Sequence, residues 1–190
     1  MSRFFRRLRS EWGYSLIEML ITLSIMGVVM GALTTVFVQA SNAEQDMNNR
    51  FQAQQEARLA LDKMRREVHC GSIATPAGQS SSVTITLPSY CKTGSGSITW
   101  CTRNVSTNRY ALYRIAGTSC SGGVKWADYL APSSSAPVCS GTLCIFTYTA
   151  QSTTSLAKLH VDFPVNLKPA KSTEMYELAD DIVLRNSTRS

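Results

Sequence analysis

Cysteine and histidine pairs spaced as zinc ligands are missing from this sequence. The chain has only two histidines, His69 and His160, and none of its six cysteines stands in a CxxC pair. Because ligand-like spacing is missing, we expect no metal site. The sequence also lacks a Gly-rich phosphate loop and an H-E-x-x-H helix. The two histidines fit no Ser/His/Asp arrangement, so we expect no cofactor and no enzymatic activity.

Charge is almost missing from the 23 residues between Leu16 and Val38, where Glu18 is the one ionisable side chain. A helix over this stretch would be roughly 34 Å long at about 1.5 Å per residue, which is enough to cross a bilayer. The alternative is a secretory signal peptide cleaved near Ala40 or Ala43. The apolar region of such a peptide is usually about 7–15 residues long and carries no acid. We therefore predict a membrane helix.

Positive charge is concentrated just before this stretch. The first thirteen residues contain four arginines and one glutamate: Arg3, Arg6, Arg7, Arg9 and Glu11. They account for +3 of the formal net charge of +6, which leaves +3 for the remainder of the chain. Basic residues are held on the cytoplasmic side during insertion, so we expect the part after the helix to be exported.

Glu18 requires compensation, because a carboxylate inside an apolar helix costs on the order of 2–3 kcal/mol in a bilayer. No cation lies within the stretch, so a cationic partner would come from another chain or from a new N-terminus. Cleavage after Gly13 would create an ammonium group on Tyr14, about one helical turn before Glu18. The sequence therefore predicts a processed N-terminus.

The run Gly13-Tyr14-Ser15-Leu16-Ile17-Glu18, followed by the apolar stretch, resembles the type III signal of type IV pilins and pseudopilins. The resemblance implies that a prepilin peptidase cuts after Gly13 and N-methylates Tyr14. It also implies that Glu18 registers the subunit against the amine of its neighbour. Tyr14 and Ser15 stand where the family usually has Phe and often has Thr. The proline that major pilins tend to carry midway along the helix is missing.

The same resemblance implies a structural subunit of a type IV pilus or of a type II secretion pseudopilus. Its partners would be other pilin or pseudopilin subunits, the prepilin peptidase, a membrane assembly platform and, before assembly, the lipid bilayer. The protein would cross the bacterial cytoplasmic membrane once, with its C-terminal domain outside the cytoplasm, and would then enter the fibre. The segments 55–68 and 184–186 are similar to minor pilins of the tip kind, so we expect a minor subunit.

The hydrophobic pattern predicts an α+β fold. Spacings of three and four continue the helix to about Cys70 along the face Met47, Phe51, Gln54, Ala57, Leu61, Met64 and Val68. From Ser80 onward the period becomes two, which predicts antiparallel strands that pack on this face. The expected domains are a cleaved leader (1–13), a transmembrane helix (14–40), its amphipathic continuation (41–70) and a small antiparallel sheet domain (71–190).

All six cysteines lie in the part expected to be exported, where oxidising conditions favour disulfides. Six cysteines allow 15 pairings. Sequence proximity favours Cys139 with Cys144, which close a small loop, then Cys101 with Cys120, and Cys70 with Cys91. The last bridge would tie the helix end to the sheet.

Two other functions are open. A pilus-borne DNA-binding or adhesion subunit could use a basic patch formed by Lys92, Arg103, Arg109, Arg114 and Lys125. A membrane-tethered exported enzyme is the other, although the sequence offers it no active site. We interpret the acidic pair Asp180-Asp181 as a solvated turn rather than an acid/base centre.

Overall fold

A computed structural model of the chain describes residues 15–168 and 174–187. The chain divides into two compact units, with the boundary between Met47 and Asn48. The leader and the processing residues Gly13 and Tyr14 lie outside the described residues, so their predicted roles stay predictions.

The first element is a 55-residue α-helix, α1, over Leu16–Cys70. No proline interrupts this sequence, and its many Ala, Leu, Met, Glu, Gln and Arg residues favour helix. The helix ends at a glycine, where the Gly71 N–H donates to the Glu67 carbonyl at 2.8 Å. The side-chain amide of Asn186 donates to the Cys70 carbonyl at 2.8 Å. The predicted long N-terminal helix is confirmed.

Short strands make up most of the remaining described chain. The first six are β1 Ile73–Thr75, β2 Gly78–Ser80, β3 Ser82–Leu87, β4 Gly96–Ser106, β5 Arg109–Ala116 and β6 Val124–Leu130. The others are β7 Val138–Cys139, β8 Thr142–Leu143, β9 Phe146–Thr149, β10 Lys158–Val165 and β11 Tyr176–Val183. The period-two pattern predicted most of the longer strands, but β1, β2 and the β7–β8 hairpin are too short to show one.

The main sheet is antiparallel, in the order β1-β3-β4-β5-β6-β10-β9-β2, with β11 paired to the other edge of β10. Val83 faces Trp100 across the β3–β4 pair, and Leu159 faces Ile182 across β10–β11. Side chains at these positions are buried, as the alternation predicts. The main sheet has nine strands among the described residues.

One face of the helix packs on the sheet. Its buried residues are Ala53, Ala57, Ala60, Leu61, Met64, Glu67 and Val68. The prediction was wrong for Met47 and Phe51, which are 73% and 66% exposed. Phe51 lies six residues before Ala57, so it stands about 120° round the helix from that buried residue. The contact between the helix and the sheet begins instead at Ala53 and continues at Ala57. The small alanine side chains let the helix backbone approach the sheet.

Three disulfides fix this domain, and they join the cysteines that sequence proximity favours. Cys70 pairs with Cys91, Cys101 with Cys120 and Cys139 with Cys144, at Cα–Cα distances of 6.0, 6.1 and 5.8 Å. The first bridge ties the end of α1 to the loop after β3. The α+β fold, one long helix on a disulfide-containing antiparallel sheet, is confirmed.

Candidate assembly segment and charged contacts of the globular domain

The first part of α1 exposes a long, predominantly apolar surface. Its large hydrophobic side chains between Leu16 and Val38 are 47–78% exposed. An 18-residue window of this helix has a mean hydropathy of 2.2, and none of it is buried within the protein. A surface of this size is unstable in water, so it requires lipid or the helices of other chains as its surroundings.

The hydroxyl groups of this segment are satisfied within the helix. Thr22, Ser24, Thr34 and Thr35 each donate to a backbone carbonyl three or four residues earlier, at 2.7–3.0 Å. An unsatisfied hydroxyl in lipid would cost several kcal/mol. These residues are therefore compatible with an apolar environment in spite of their polar groups.

Glu18 caps the start of α1. Its Oε2 accepts a hydrogen bond from the Ser15 backbone N–H at 3.1 Å, and the Met19 N–H donates to the Ser15 carbonyl at 3.2 Å. Ser15 is thus the N-cap and Glu18 the third helical residue, which is one half of a capping box. The spacing Ser15-x-x-Glu18 signals this arrangement, and the electrostatic interpretation of Glu18 above overlooked it. The partner found is a neutral N–H group, so the expected cationic partner stays a prediction.

Two glycines leave space beside the backbone on one face of the apolar helix. Gly27 and Gly31 are four residues apart, and a Cβ placed on either would meet no atom within 4 Å. Residues at this spacing share a face, and a small-xxx-small pair allows the backbone of another helix to approach closely. This face is available for a neighbouring helix.

A buried carboxylate connects α1 to the sheet. Glu67 is fully buried, and its Oε2 accepts a hydrogen bond from Trp100 Nε1 at 2.8 Å. Its Oε1 accepts from Arg114 Nε at 2.8 Å and lies 3.4 Å from Lys63 Nζ. These contacts bring together the helix, β4 and β5. Sequence reasoning missed this cluster, because its partners lie far from Glu67 in the sequence.

A second ionic cluster lies on β5 and β6. Asp128 accepts from Arg109 Nε at 3.0 Å, from Lys125 Nζ at 2.9 Å and from the Tyr129 N–H at 2.7 Å. Burial alone would raise the pKa of Asp128, but these hydrogen bonds outweigh it and lower the pKa from 3.8 to about 2. The Arg109 guanidinium also stands 4.0 Å from the Tyr129 ring centroid.

These contacts engage most of the cations proposed for the basic patch. Arg109 and Lys125 are paired with Asp128, and Arg114 is paired with Glu67. Arg103 stacks 4.2 Å from the Tyr113 ring centroid and donates to the Gly122 carbonyl. Four of the five proposed cations therefore have internal partners. Lys92 lies apart from them, in a cleft at the end of α1.

The interpretation of Asp180-Asp181 as a solvated turn was also wrong. Both residues lie in β11, where Asp180 accepts from Arg65 Nε at 2.6 Å. Asp181 lies 2.8 Å from His160 Nδ1 and 3.1 Å from Lys158 Nζ, and these contacts lower the pKa of the Asp181 carboxyl. The acidic pair serves strand packing. His69 contacts the Val183 carbonyl at 2.9 Å, so both histidines have structural contacts.

These features define a class of protein. Its members have an N-terminal helix that is apolar and compatible with lipid in its first part, and the later part of the same helix belongs to a disulfide-linked α+β domain. The family profile described as the prokaryotic N-terminal methylation motif matches residues 13–34. This motif is the type IV pilin signature, and it confirms the resemblance seen in the sequence. It supports a type IV pilin-like or pseudopilin-like exported subunit. The motif implies other pilin subunits and a peptidase as its partners.

The match ends within α1 and does not reach the sheet domain. No curated protein and no solved structure shows significant similarity to the chain. The family profile therefore assigns no role to the sheet domain.

Proposed function

We propose that this protein is a minor structural subunit of a type IV pilus or of a type II secretion pseudopilus. The precursor is inserted with its arginine-rich leader in the cytoplasm and its sheet domain outside. A prepilin peptidase cuts after Gly13 and methylates Tyr14. An assembly platform then moves the subunit from the bilayer into the fibre.

The observation that supports this proposal best is the exposed apolar helix that follows the methylation motif. Side chains from Leu16 to Val38 have no cover within the described protein. Lipid covers them before assembly, and helices of neighbouring subunits replace the lipid in the fibre. Gly27 and Gly31 allow those helices to approach closely.

Glu18 has a defined role in this exchange. Its Oε2 is held by the Ser15 N–H, while Oε1 has no partner among the described residues. The cap fixes the orientation of the carboxylate at the helix start. Oε1 is then available to a cationic amine, and we assign it to the methylated ammonium of a neighbouring subunit. Such a charge-assisted contact in a water-excluded fibre would compensate the cost of the buried carboxylate.

The experiment compares Glu18→Gln, Glu18→Leu and Glu44→Gln in cells that assemble the fibre. Glu18→Gln retains an oxygen for the Ser15 N–H but removes the charge, so it separates helix capping from ion pairing. Glu44 is an exposed carboxylate of the same helix and serves as the matched control. The measurement is the fraction of this subunit recovered in sheared fibres.

We expect both Glu18 variants to enter fibres at least tenfold less than the parent, since an ion pair worth about 1.4 kcal/mol or more is lost. Glu44→Gln should enter at the level of the parent. Normal incorporation of Glu18→Gln would refute the assigned role of the charge.

A further inference from the structure

Almost every cationic side chain of the described sheet domain is engaged. Lysines and arginines contact acids, carbonyls or aromatic rings at positions 50, 58, 63, 65, 103, 109, 114, 125, 158 and 168. The side chains of Arg66, Lys92 and Arg185 have no such partner among residues 48–168 and 174–187. These three unpaired cations are not scattered over the surface, because all three line one cleft.

The cleft has a volume of about 460 Å³ and lies at the C-terminal end of α1. Arg66 comes from the helix, Lys92 from the loop after β3 and Arg185 from the segment after β11. Tyr90, with 68% of its surface exposed, also lines it. Three segments that are distant in sequence thus present positive charge and an aromatic ring to the same space.

Covalent and hydrogen-bonded contacts hold these segments together. The disulfide between Cys70 and Cys91 joins the helix end to the residue before Lys92. The Asn186 side chain donates to the Cys70 carbonyl at 2.8 Å, next in sequence to Arg185. The cleft is therefore built on a fixed frame.

The electrostatics favour an anion. None of the described residues that line the cleft is Asp or Glu, so the three cations are not neutralised by the cleft lining. The C-terminal end of α1 carries partial negative charge, which opposes an anion. That effect is small here, because the Glu67 and Cys70 carbonyls already accept hydrogen bonds from Gly71 and Asn186.

We propose that this cleft binds single-stranded nucleic acid, independently of how the subunit is assembled. Arg66, Lys92 and Arg185 contact successive phosphates, and Tyr90 stacks on a base. Guanidinium groups match the geometry of phosphate oxygens. An exposed aromatic ring beside a cationic track is the arrangement that binds single strands without sequence preference. The cleft, at about 460 Å³, is large enough to accept a nucleotide.

The test measures binding of a fluorescein-labelled oligothymidine strand to the full chain in a non-ionic detergent, by fluorescence anisotropy as a function of salt. The triple variant R66Q/K92Q/R185Q removes the cleft cations. The matched control R58Q/K158Q/K168Q removes the same charge from paired cations elsewhere on the domain. Thermal unfolding of each variant verifies that the fold is retained. Tyr90→Ala and Tyr90→Phe test stacking.

We expect the cleft variant to bind at least tenfold more weakly at about 50 mM salt, and the slope of log K against log salt to fall in magnitude by about 2, since each single-strand phosphate contact contributes about 0.7. The control variant should bind within twofold of the parent. Tyr90→Ala should weaken binding about fivefold or more, and Tyr90→Phe should not.

Equal weakening by the two triple variants would overturn the proposal, because binding would then follow net charge alone. No measurable binding by the parent would also overturn it. Heparin or anionic lipid vesicles that bind the cleft as tightly as the strand, with no effect of Tyr90→Ala, would assign the cleft to another polyanion and contradict a nucleic acid site. None of these outcomes bears on cleavage after Gly13 or on Glu18.

Discussion

Replacement of Glu67 tests how α1 is held on the sheet. The carboxylate is fully buried, with hydrogen bonds of 2.8 Å from both Trp100 and Arg114. Glu67→Met leaves the Trp100 N–H and the Arg114 guanidinium without their acceptor. Because an unpaired buried partner is costly, we expect the free energy of unfolding to fall by about 3–5 kcal/mol.

Arg114→Met leaves the buried carboxylate with Trp100 and with Lys63 at 3.4 Å, and we expect it to cost about 2–4 kcal/mol. In the double variant the Glu67 and Arg114 charges are both gone. The buried Trp100 N–H is then unpaired, at a cost of about 1–3 kcal/mol, while the partly exposed Lys63 loses its contact with Glu67. The double variant should therefore be more stable than the sum of the single changes allows, by about 2 kcal/mol or more.

The assay is chemical unfolding of the full chain in detergent, followed by tryptophan fluorescence, with the disulfides intact. Trp100 lies in the cluster and contributes to this signal together with Trp126, whose ring centroid is 5.8 Å away. Additive effects of the two single changes, or a Glu67→Met variant as stable as the parent, would refute the claim that this ion pair anchors the helix.

Two further predictions concern the sheet domain. Asp128→Asn should remove a contribution to stability that depends on pH. The Asp128 carboxyl has a pKa of about 2 in the folded chain, against an ordinary value of 3.8. Its contribution of about 1–2 kcal/mol is therefore present above about pH 4 and is lost as the pH falls toward 2. Unfolding at a series of pH values checks this, and a difference between variant and parent that does not change with pH would contradict it. Gly123→Ala should destabilise by about 2 kcal/mol or more, because φ is +85° and a Cβ would lie 2.4 Å from Ile115 Cγ1 and 2.6 Å from the Arg114 carbonyl oxygen. The neighbouring Gly122→Ala, with φ of +68° and open space around the Cβ, should cost only about 1 kcal/mol; equal melting temperatures of the two variants would contradict the steric argument.

Local patterns in the sequence were sufficient for the helix and most longer strands. Spacings of three and four predicted the buried positions Ala57, Leu61, Met64 and Val68, and alternation predicted Val83, Ile85 and Leu87. Both signals arise from one element that buries one face, so a single segment contains the information. The methylation motif is of the same kind, since its residues are contiguous.

The contacts that connect distant segments could not be predicted in this way. In the sequence, Glu67 is indistinguishable from a solvated helix residue. Its partners Trp100 and Arg114 follow it by 33 and 47 residues, so no local pattern connects them. Asp180 reads as a turn for the same reason, since its partner Arg65 is 115 residues away. The positive charge of the cleft at the helix end could not be predicted either. It depends on which cations form no ion pair in the folded domain, and that requires all the tertiary contacts to be known.

Intact-mass analysis of the protein recovered from membranes tests the central claim most directly. Processing at the methylation motif predicts a mature chain that begins with Tyr14 and carries one additional methyl group, with three disulfides. A chain that begins near Ala40 or Ala43, or one that retains residues 1–13 in assembled fibres, would contradict a pilin-like subunit.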